Sequence, residues 1–400
     1  MTSGPLLAKR LRLHPDVLVS RRLMRGPAQI HLVKDMRTGR AFEVSAREHF
    51  IMTRLDGRRS LAEIGEEYAR AFRRRLVEAH WQQLLGLLYR RGLLDDPSTT
   101  GPSTSGPSTA VSGRATPSRA SLALVEWVHR RTRWLLSAPV ALSLLVLVVA
   151  LGATVAVRID EAVTGLRWFA DHPLWLLPVA LLAWASAALH ELAHGVTARH
   201  FGCAVTAVSM VTLRCRVDGY LYLSSPRAQI AIAAAGGFAN GLLMLPIGLV
   251  WLVLPSSVSI RPALAAILLI GYVQALVNVI PLPPLDGYKI ISHAFGVTRL
   301  FTGTRQFLWH LVRGLVDRRD PGALAYPTRA RLCYLSYGLI CLILVVAASS
   351  AAVLLGRRLS DGPVGSAGTV ITVVVVVMTA SGWLARPRRR PAAPDATDVP

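Results

Sequence analysis

Six stretches of roughly 20 apolar residues, at about 138–157, 173–196, 229–254, 263–281, 332–355 and 367–385, constrain this chain more than any other feature. A bilayer core takes about 20 residues of helix to cross. Inside it, only helices and closed barrels satisfy their own backbone. The fold expected from these runs is an all-α multi-pass membrane protein of about six transmembrane helices. Charged residues make up only 17% of the chain, against about 25% in soluble domains, which excludes an average soluble globule. Yet the formal charge is +22, so the apolar and basic characters must be separated along the chain.

The first 95 residues carry 19 Lys+Arg against 10 Asp+Glu and no apolar run long enough to span a bilayer. Residues 1–95 therefore read as a small soluble domain, and their start lacks the apolar core of a secretory signal. Residues 96–120, with GPST twice, are rich in Ser, Thr, Pro and Gly. Such a stretch buries too little apolar area to order itself and reads as a flexible linker with a mean span of about 25–30 Å. Residues 387–400 read as a disordered basic tail. Four cysteines are too few for a disulfide scaffold, and Cys203, Cys215, Cys333 and Cys341 read as reduced bystanders.

Juxtamembrane Lys and Arg set orientation. Arg130, Arg131 and Arg133 precede the first span, and Arg199, Arg214, Arg216 and Arg227 lie between the second and third. Residues 287–331 hold 8 Lys+Arg and 2 acids, and four arginines follow the sixth span. These place a multi-pass protein in the cell membrane with both termini cytoplasmic. Arg357 and Arg358 run against the pattern.

Within the second span lies His190-Glu191-Leu192-Ala193-His194. Histidines four apart project from one helix face and can bind one zinc, with the adjacent glutamate as general base. Ionisable groups within a span are costly and usually functional; the plain alternative is a solvated polar helix end. A catalytic zinc commonly takes three protein ligands. The best third candidate is Asp286, in Asn278-Val-Ile-Pro281-Leu-Pro283-Pro284-Leu-Asp286-Gly287. The prolines break the helix and set Asp286 near the membrane boundary. The second and fourth spans run in the same direction in this topology, so both motifs fall at the cytoplasmic side. His190 then lies about 24 Å along the helix from Leu174.

The pair HELAH and NVIPLPPLDG resembles the site-2 protease family of membrane zinc metallopeptidases. Ala235-Gly236-Gly237-Phe238-Ala239-Asn240 is similar to that family's small-residue helix, with Gly237 in place of its proline, and 205–223 to its membrane-associated β-hairpin. The resemblance covers about 175–295 and sets a membrane metallopeptidase domain at 121–386. It implies one Zn2+ per chain held by His190, His194 and Asp286, with Glu191 as the catalytic base. Asn240 and Asn278 are candidate donors to substrate backbone or oxyanion, or simply interhelical hydrogen bonders. Gly236 and Gly237 suit close helix approach. His200 and His293 have no metal spacing with the motif.

In the first domain, 28–44 alternate around Met-Arg-Thr-Gly, a hairpin signal. Ser45 with Glu48 and Ser60 with Glu63 are capping boxes, and Gly57 and Gly92 suit left-handed helix ends. Phe50, Ile51, Leu55, Leu61, Ile64, Tyr68, Phe72, Trp81, Leu84, Leu85 and Leu88 can form one core. The expected shape is a small α+β winged helix. Residues 15–95 resemble PqqD-like domains, which recognise leader peptides of ribosomally made natural products. The resemblance implies an extended leader added as a strand to the hairpin sheet. Arg70, Arg73, Arg74 and Arg75 would then attract an acidic peptide, or else form a solvated face. Winged-helix DNA binding competes as a reading, but nothing marks a recognition helix, and no nucleic-acid partner is expected.

Together these features suggest a membrane zinc metalloendopeptidase that removes the leader of a ribosomally synthesised peptide precursor. Regulated intramembrane proteolysis of a membrane-bound signalling protein is the second reading. A non-proteolytic peptide-export or immunity protein that keeps the scaffold is the third.

Overall fold

The computed structural model describes residues 6–95, 119–317 and 321–359. It is mostly helical, with small sheets. The chain divides into two compact units, one of Met1–Arg22, Ile30–Ile280 and Pro284–Ala294, the other of Leu23–Gln29, Pro281–Pro283 and Phe295–Pro400.

The N-terminal stretch runs β1 (Arg12–Leu13), β2 (Val17–Val19), β3 (Leu23–Arg25), β4 (Ala28–Asp35), β5 (Ala41–Ser45), α1 (Ala46–Met52), α2 (Leu61–Phe72), α3 (Glu78–Arg90) and β6 (Leu94–Asp95). β4 and β5 form the expected antiparallel hairpin, with Lys34 opposite Ala41. β2 pairs β4 antiparallel, with Val19 opposite Val33, and β1 pairs β6. Both capping boxes are formed: Ser45 and Ser60 each accept from the backbone N–H of the glutamate three residues on, which bonds back. Gly57 takes φ +78°, a conformation open to glycine at little cost. All eleven apolar residues named from sequence share one core. Ile51, Leu55, Leu61, Ile64, Tyr68, Trp81, Leu85 and Leu88 are buried in it, and Phe50, Phe72 and Leu84 pack against it.

Beyond the Ser/Thr/Pro/Gly stretch come α4 (Arg119–Thr132), α5 (Ala138–Val157), α6 (Ile159–Asp171), α7 (Leu176–His200), β7 (Ala204–Ser209), β8 (Arg214–Asp218), α8 (Pro226–Val253), α9 (Arg261–Val279) and α10 (Asp286–Phe295). Residues 119 and 120, read from sequence as linker, are the first of α4; linker residues 96–118 lie outside the described residues. Among the described residues, five helical stretches are long and apolar enough to cross a membrane: Ala138–Val157, Pro173–His200, Pro226–Val253, Arg261–Val279 and Thr328–Ser350. They match the first five expected spans; the sixth, at 367–385, and the tail at 387–400 lie outside the described residues.

One segment differs from its reading as a plain connection. The stretch after the first span is a helix, α6, whose Ala162, Gly165 and Phe169 are buried. Phe169 packs with Ala263 and Ala266 of α9. A Cβ at Gly165 would overlap the Pro262 carbonyl, so only glycine permits this approach.

β7 and β8 form the expected hairpin, with a register shift between Val205 and Ala207. Its Val205 and Val208 pack with Val125 of α4 and with Leu192 and Val196 of α7. The N-terminal sheet reaches this hairpin within the same unit: Lys34 Nζ lies 3.3 Å from Asp218 Oδ1. Arg21 donates to the Gln229 side chain of α8 and, at 2.6 Å, to the His293 carbonyl of α10.

In the second unit, α11 (Leu300–Asp317) packs on α12 (Thr328–Leu359). The Phe307 ring stacks on Tyr334, and a Cβ at Gly303 would meet that tyrosine at 2.8 Å. β3 adds to this unit through a parallel bridge from Met24 to Val297. Residues 287–331, read from sequence as a basic connection, thus contain all but the first residue of α10 and the whole of α11.

Candidate metal centre

The two histidines of the second span lie on α7, and both are buried. Their Nε2 atoms are 3.2 Å apart. Asp286 comes to them from the first turn of α10, because α9 stops at Val279 and Ile280 turns extended (ψ 128°) before the prolines. Asp286 Oδ2 lies 2.9 Å from His190 Nε2 and 3.0 Å from His194 Nε2. Among the described residues, these three form the sole grouping of three or more His, Cys, Asp or Glu side chains able to share one ion.

The donor set fits zinc. It offers two neutral-capable imidazoles and one carboxylate, with edges of 2.9 to 3.2 Å. Ligand atoms at 2.0–2.1 Å around a tetrahedral zinc are about 3.3 Å apart. Each ligand is also held on its far side. His194 Nδ1 lies 2.7 Å from the Ile232 carbonyl. His190 Nδ1 meets Asn240 Nδ2 at 3.3 Å. Lys289 Nζ donates to Asp286 Oδ1 at 2.7 Å, which leaves Oδ2 to the histidines. Burial pushes the Asp286 carboxyl up, but hydrogen bonds from His190, His194 and Lys289 outweigh it and hold the group well below the usual carboxylate range.

Glu191, next to His190 on α7, accepts the Cys215 backbone N–H at 2.8 Å through Oε2. That bond ties the glutamate to β8. The Cys215 thiol is pushed up to about 12 by burial and by the Glu191 carboxylate. It therefore stays a neutral thiol, a poor competitor for a cation.

Glycines set how closely the helices meet here. A Cβ at Gly236 of α8 would overlap the His190 ring, and one at Gly287 would overlap the Val279 carbonyl. Gly237 is different: its Cβ would find its nearest neighbours at 3.9 Å. Close packing thus rests on Gly236.

The two asparagines part company. Asn240 is fully buried between Ser186 and His190. It faces the His190 ring and is closed to solvent. Asn278 donates to the Gln274 carbonyl in its own helix at 3.2 Å. His200 approaches His129, at 3.5 Å between ring nitrogens, away from the triad. His293 is buried with its ring edge-on to Tyr220. Burial, Arg21 and Lys289 push its pKa down to about 4.

Sequence reasoning passed over Ser186, Lys289 and the Cys215 N–H. Lys289 had a signal: it is one of three lysines in an arginine-rich chain and stands three residues after Asp286. Ser186 stands one helical turn before His190. The Cys215 contact is a backbone one and leaves no mark in side-chain identity. No family model matches the chain, and no curated protein or solved structure matches it significantly.

Proposed function

We propose that the chain is a membrane-embedded zinc metalloendopeptidase, with His190, His194 and Asp286 holding one zinc and Glu191 serving as general base. The observation that carries this reading is the convergence of three buried ligand atoms from α7 and α10 on one point, with a carboxylate on the adjacent residue. A zinc bound there supplies a Lewis acid and brings the pKa of water toward about 7. Glu191 accepts a proton from the attacking water and returns it to the departing amine as the C–N bond breaks. Cys215 N–H holds one Glu191 oxygen and so fixes the carboxylate's direction. Lys289 holds Asp286 Oδ1 and leaves Oδ2 turned to the histidines.

The substrate class proposed is a ribosomally synthesised peptide precursor, cleaved to remove its leader. Residues 15–95 would bind the leader as an added strand. Two features support this. Among the described strands, β5 pairs with β4 alone. Lys34–Asp218 and Arg21–Gln229 join the N-terminal sheet to the hairpin and to α8, one turn from the His194-bonded Ile232. A cell-membrane location with both termini cytoplasmic completes the reading; the five apolar helices support its membrane part.

The test is cleavage, by purified full-length chain, of a short precursor peptide encoded beside its gene. Zinc is expected at about one per chain and lost in His190→Ala. Removal of residues 1–95 is expected to raise KM for the precursor and leave a short peptide spanning the cleavage site unaffected. Cleavage of a membrane-spanning signalling protein instead of the precursor would favour regulated intramembrane proteolysis. No zinc and no cleavage of either would sink the enzyme reading.

A further inference from the structure

Asn240 is 0% exposed and fills the gap between two side chains of α7. Ser186 Oγ lies 3.2 Å from its Oδ1, and its Nδ2 lies 3.3 Å from His190 Nδ1. A neutral imidazole carries one ring hydrogen. With Nδ2 donating to Nδ1, that hydrogen must sit on Nε2, the atom aimed at His194 and Asp286. In that tautomer, Nε2 has no lone pair to offer a cation.

An amide turned by half a revolution occupies the same space with O and N exchanged. Turned so, Asn240 accepts from His190 Nδ1–H and donates to Ser186 Oγ. Both orientations satisfy the contacts at Asn240, but only the second leaves His190 Nε2 bare. His194 supplies a reference beside it. Its Nδ1 faces a backbone carbonyl, Ile232, which accepts only; its hydrogen is therefore fixed on Nδ1. One histidine is held by a group that cannot turn, the other by a group that can.

We propose that Asn240, backed by Ser186, is a positioning residue that sets the Nδ1–H tautomer of His190 by presenting its amide oxygen to the ring when a zinc ion binds. This rests on the metal reading above and deepens it. The residue does not meet substrate, since it is sealed from solvent by α7 and α8. Gly236 leaves the room that the His190 ring occupies beside this partner, because any side chain there would overlap the imidazole.

The test is zinc affinity of the purified full-length chain, measured by competition with a chelator, together with 15N NMR of histidine-labelled protein. Asn240→Leu removes the acceptor while keeping the branched shape and the number of heavy atoms, and is expected to weaken zinc about 10- to 100-fold. Asn240→Asp keeps an acceptor and is expected to hold zinc at least as tightly as the parent. Ser186→Ala is expected to lose only a few-fold. In the zinc-loaded parent, His190 Nδ1 should give the protonated-nitrogen signal. Should Asn240→Leu not fold, Asn240→Asp and the NMR signal decide. Parental zinc affinity in Asn240→Leu, an equal loss in Asn240→Asp, or a bare Nδ1 in the loaded parent would overturn the proposal. Failure of the parent itself to bind zinc through His190 would instead overturn the metal reading.

Discussion

The N-terminal module and the α7–α8–α10 layer are built inside out with respect to each other. In the module, Leu61, Ile64, Trp81 and Leu88 are buried, while the capping serines and glutamates face water. In the helical layer, Leu177, Leu181, Leu249 and Val253 face outward, while His190, His194, Gln229, Asn240 and Asp286 are buried. An outward apolar face suits lipid and gains nothing from water. Stability inside the layer then depends on polar groups satisfying one another, since a buried polar group without a partner costs about 1–3 kcal/mol. An apolar core yields in proportion to the volume removed. A closed polar network loses by the partner left unsatisfied when one member changes.

The sharpest way to break this comparison is to change one residue in each region with little change in the other. Glu191→Gln keeps size and is expected to lower peptide hydrolysis about 10²- to 10⁴-fold, with zinc content and melting temperature near those of the parent. Trp81→Ala should do the reverse. It removes a fully buried side chain and is expected to cost the N-terminal module about 3–5 kcal/mol, read as rapid proteolysis within 6–95, with zinc retained. If Glu191→Gln hydrolyses peptide at the parental rate, the polar layer holds no catalytic base at this position. If Trp81→Ala also strips zinc, the two regions are one cooperative core.

A smaller effect separates neighbouring glycines within the polar layer. Gly236→Ala must push a methyl group into the His190 ring and is expected to cost about 1–3 kcal/mol by overpacking. Gly237→Ala meets its nearest atoms at 3.9 Å, an ordinary contact. It is expected to be neutral or mildly stabilising, since alanine is the better helix former. Zinc retention after thermal challenge reads both. Equal losses in the two variants would mean that small-residue packing along α8, and not the His190 contact, sets the requirement.

What was legible in the sequence follows the same division. The module is written in local signals. A serine three residues before a glutamate marks a helix start, a glycine marks a left-handed end, and apolar spacing marks the core; these held at Ser45, Ser60, Gly92 and across the eleven core residues, whereas Gly57 is left-handed in the turn beyond α1, which ends at Met52 with a right-handed Thr53 cap. His190, His194 and Asp286 were also legible, because their motifs fix type and spacing. Their supports were not. Ser186 and Asn240 meet across 54 residues of chain, and Arg21 and Gln229 across 208. No local pattern carries such pairings. α6 lay between these cases: Ala162, Gly165 and Phe169 recur at helical spacing, yet the acids around them read as a connection. Asn278 shows the opposite limit, since its place in a motif gave no hint that its side chain bonds within its own helix.

The smallest effect expected lies in the module and asks whether any polar group matters to its core. His31 and His49 stack with ring centres 3.5 Å apart and planes 12° from parallel. His31 is buried and bonded to the Ser20 carbonyl. Burial, His31 and the nearby Arg54 push the His49 pKa down from 6.5 to about 4. The unfolded chain then takes up a proton near pH 6.5 that the folded module refuses until about pH 4. By linkage, the stability contributed is complete above pH 6.5 and is lost as pH falls toward 4. His49→Leu keeps an apolar body over His31 and has no proton to gain. Its module should melt at nearly the same temperature at pH 7.5 and fall less steeply between pH 6.5 and 4.5 than the parent. Parallel melting curves for the two proteins across that window would show that His49 titrates alike folded and unfolded. The stacked pair would then add no pH dependence, and the module's stability would rest on its apolar core alone.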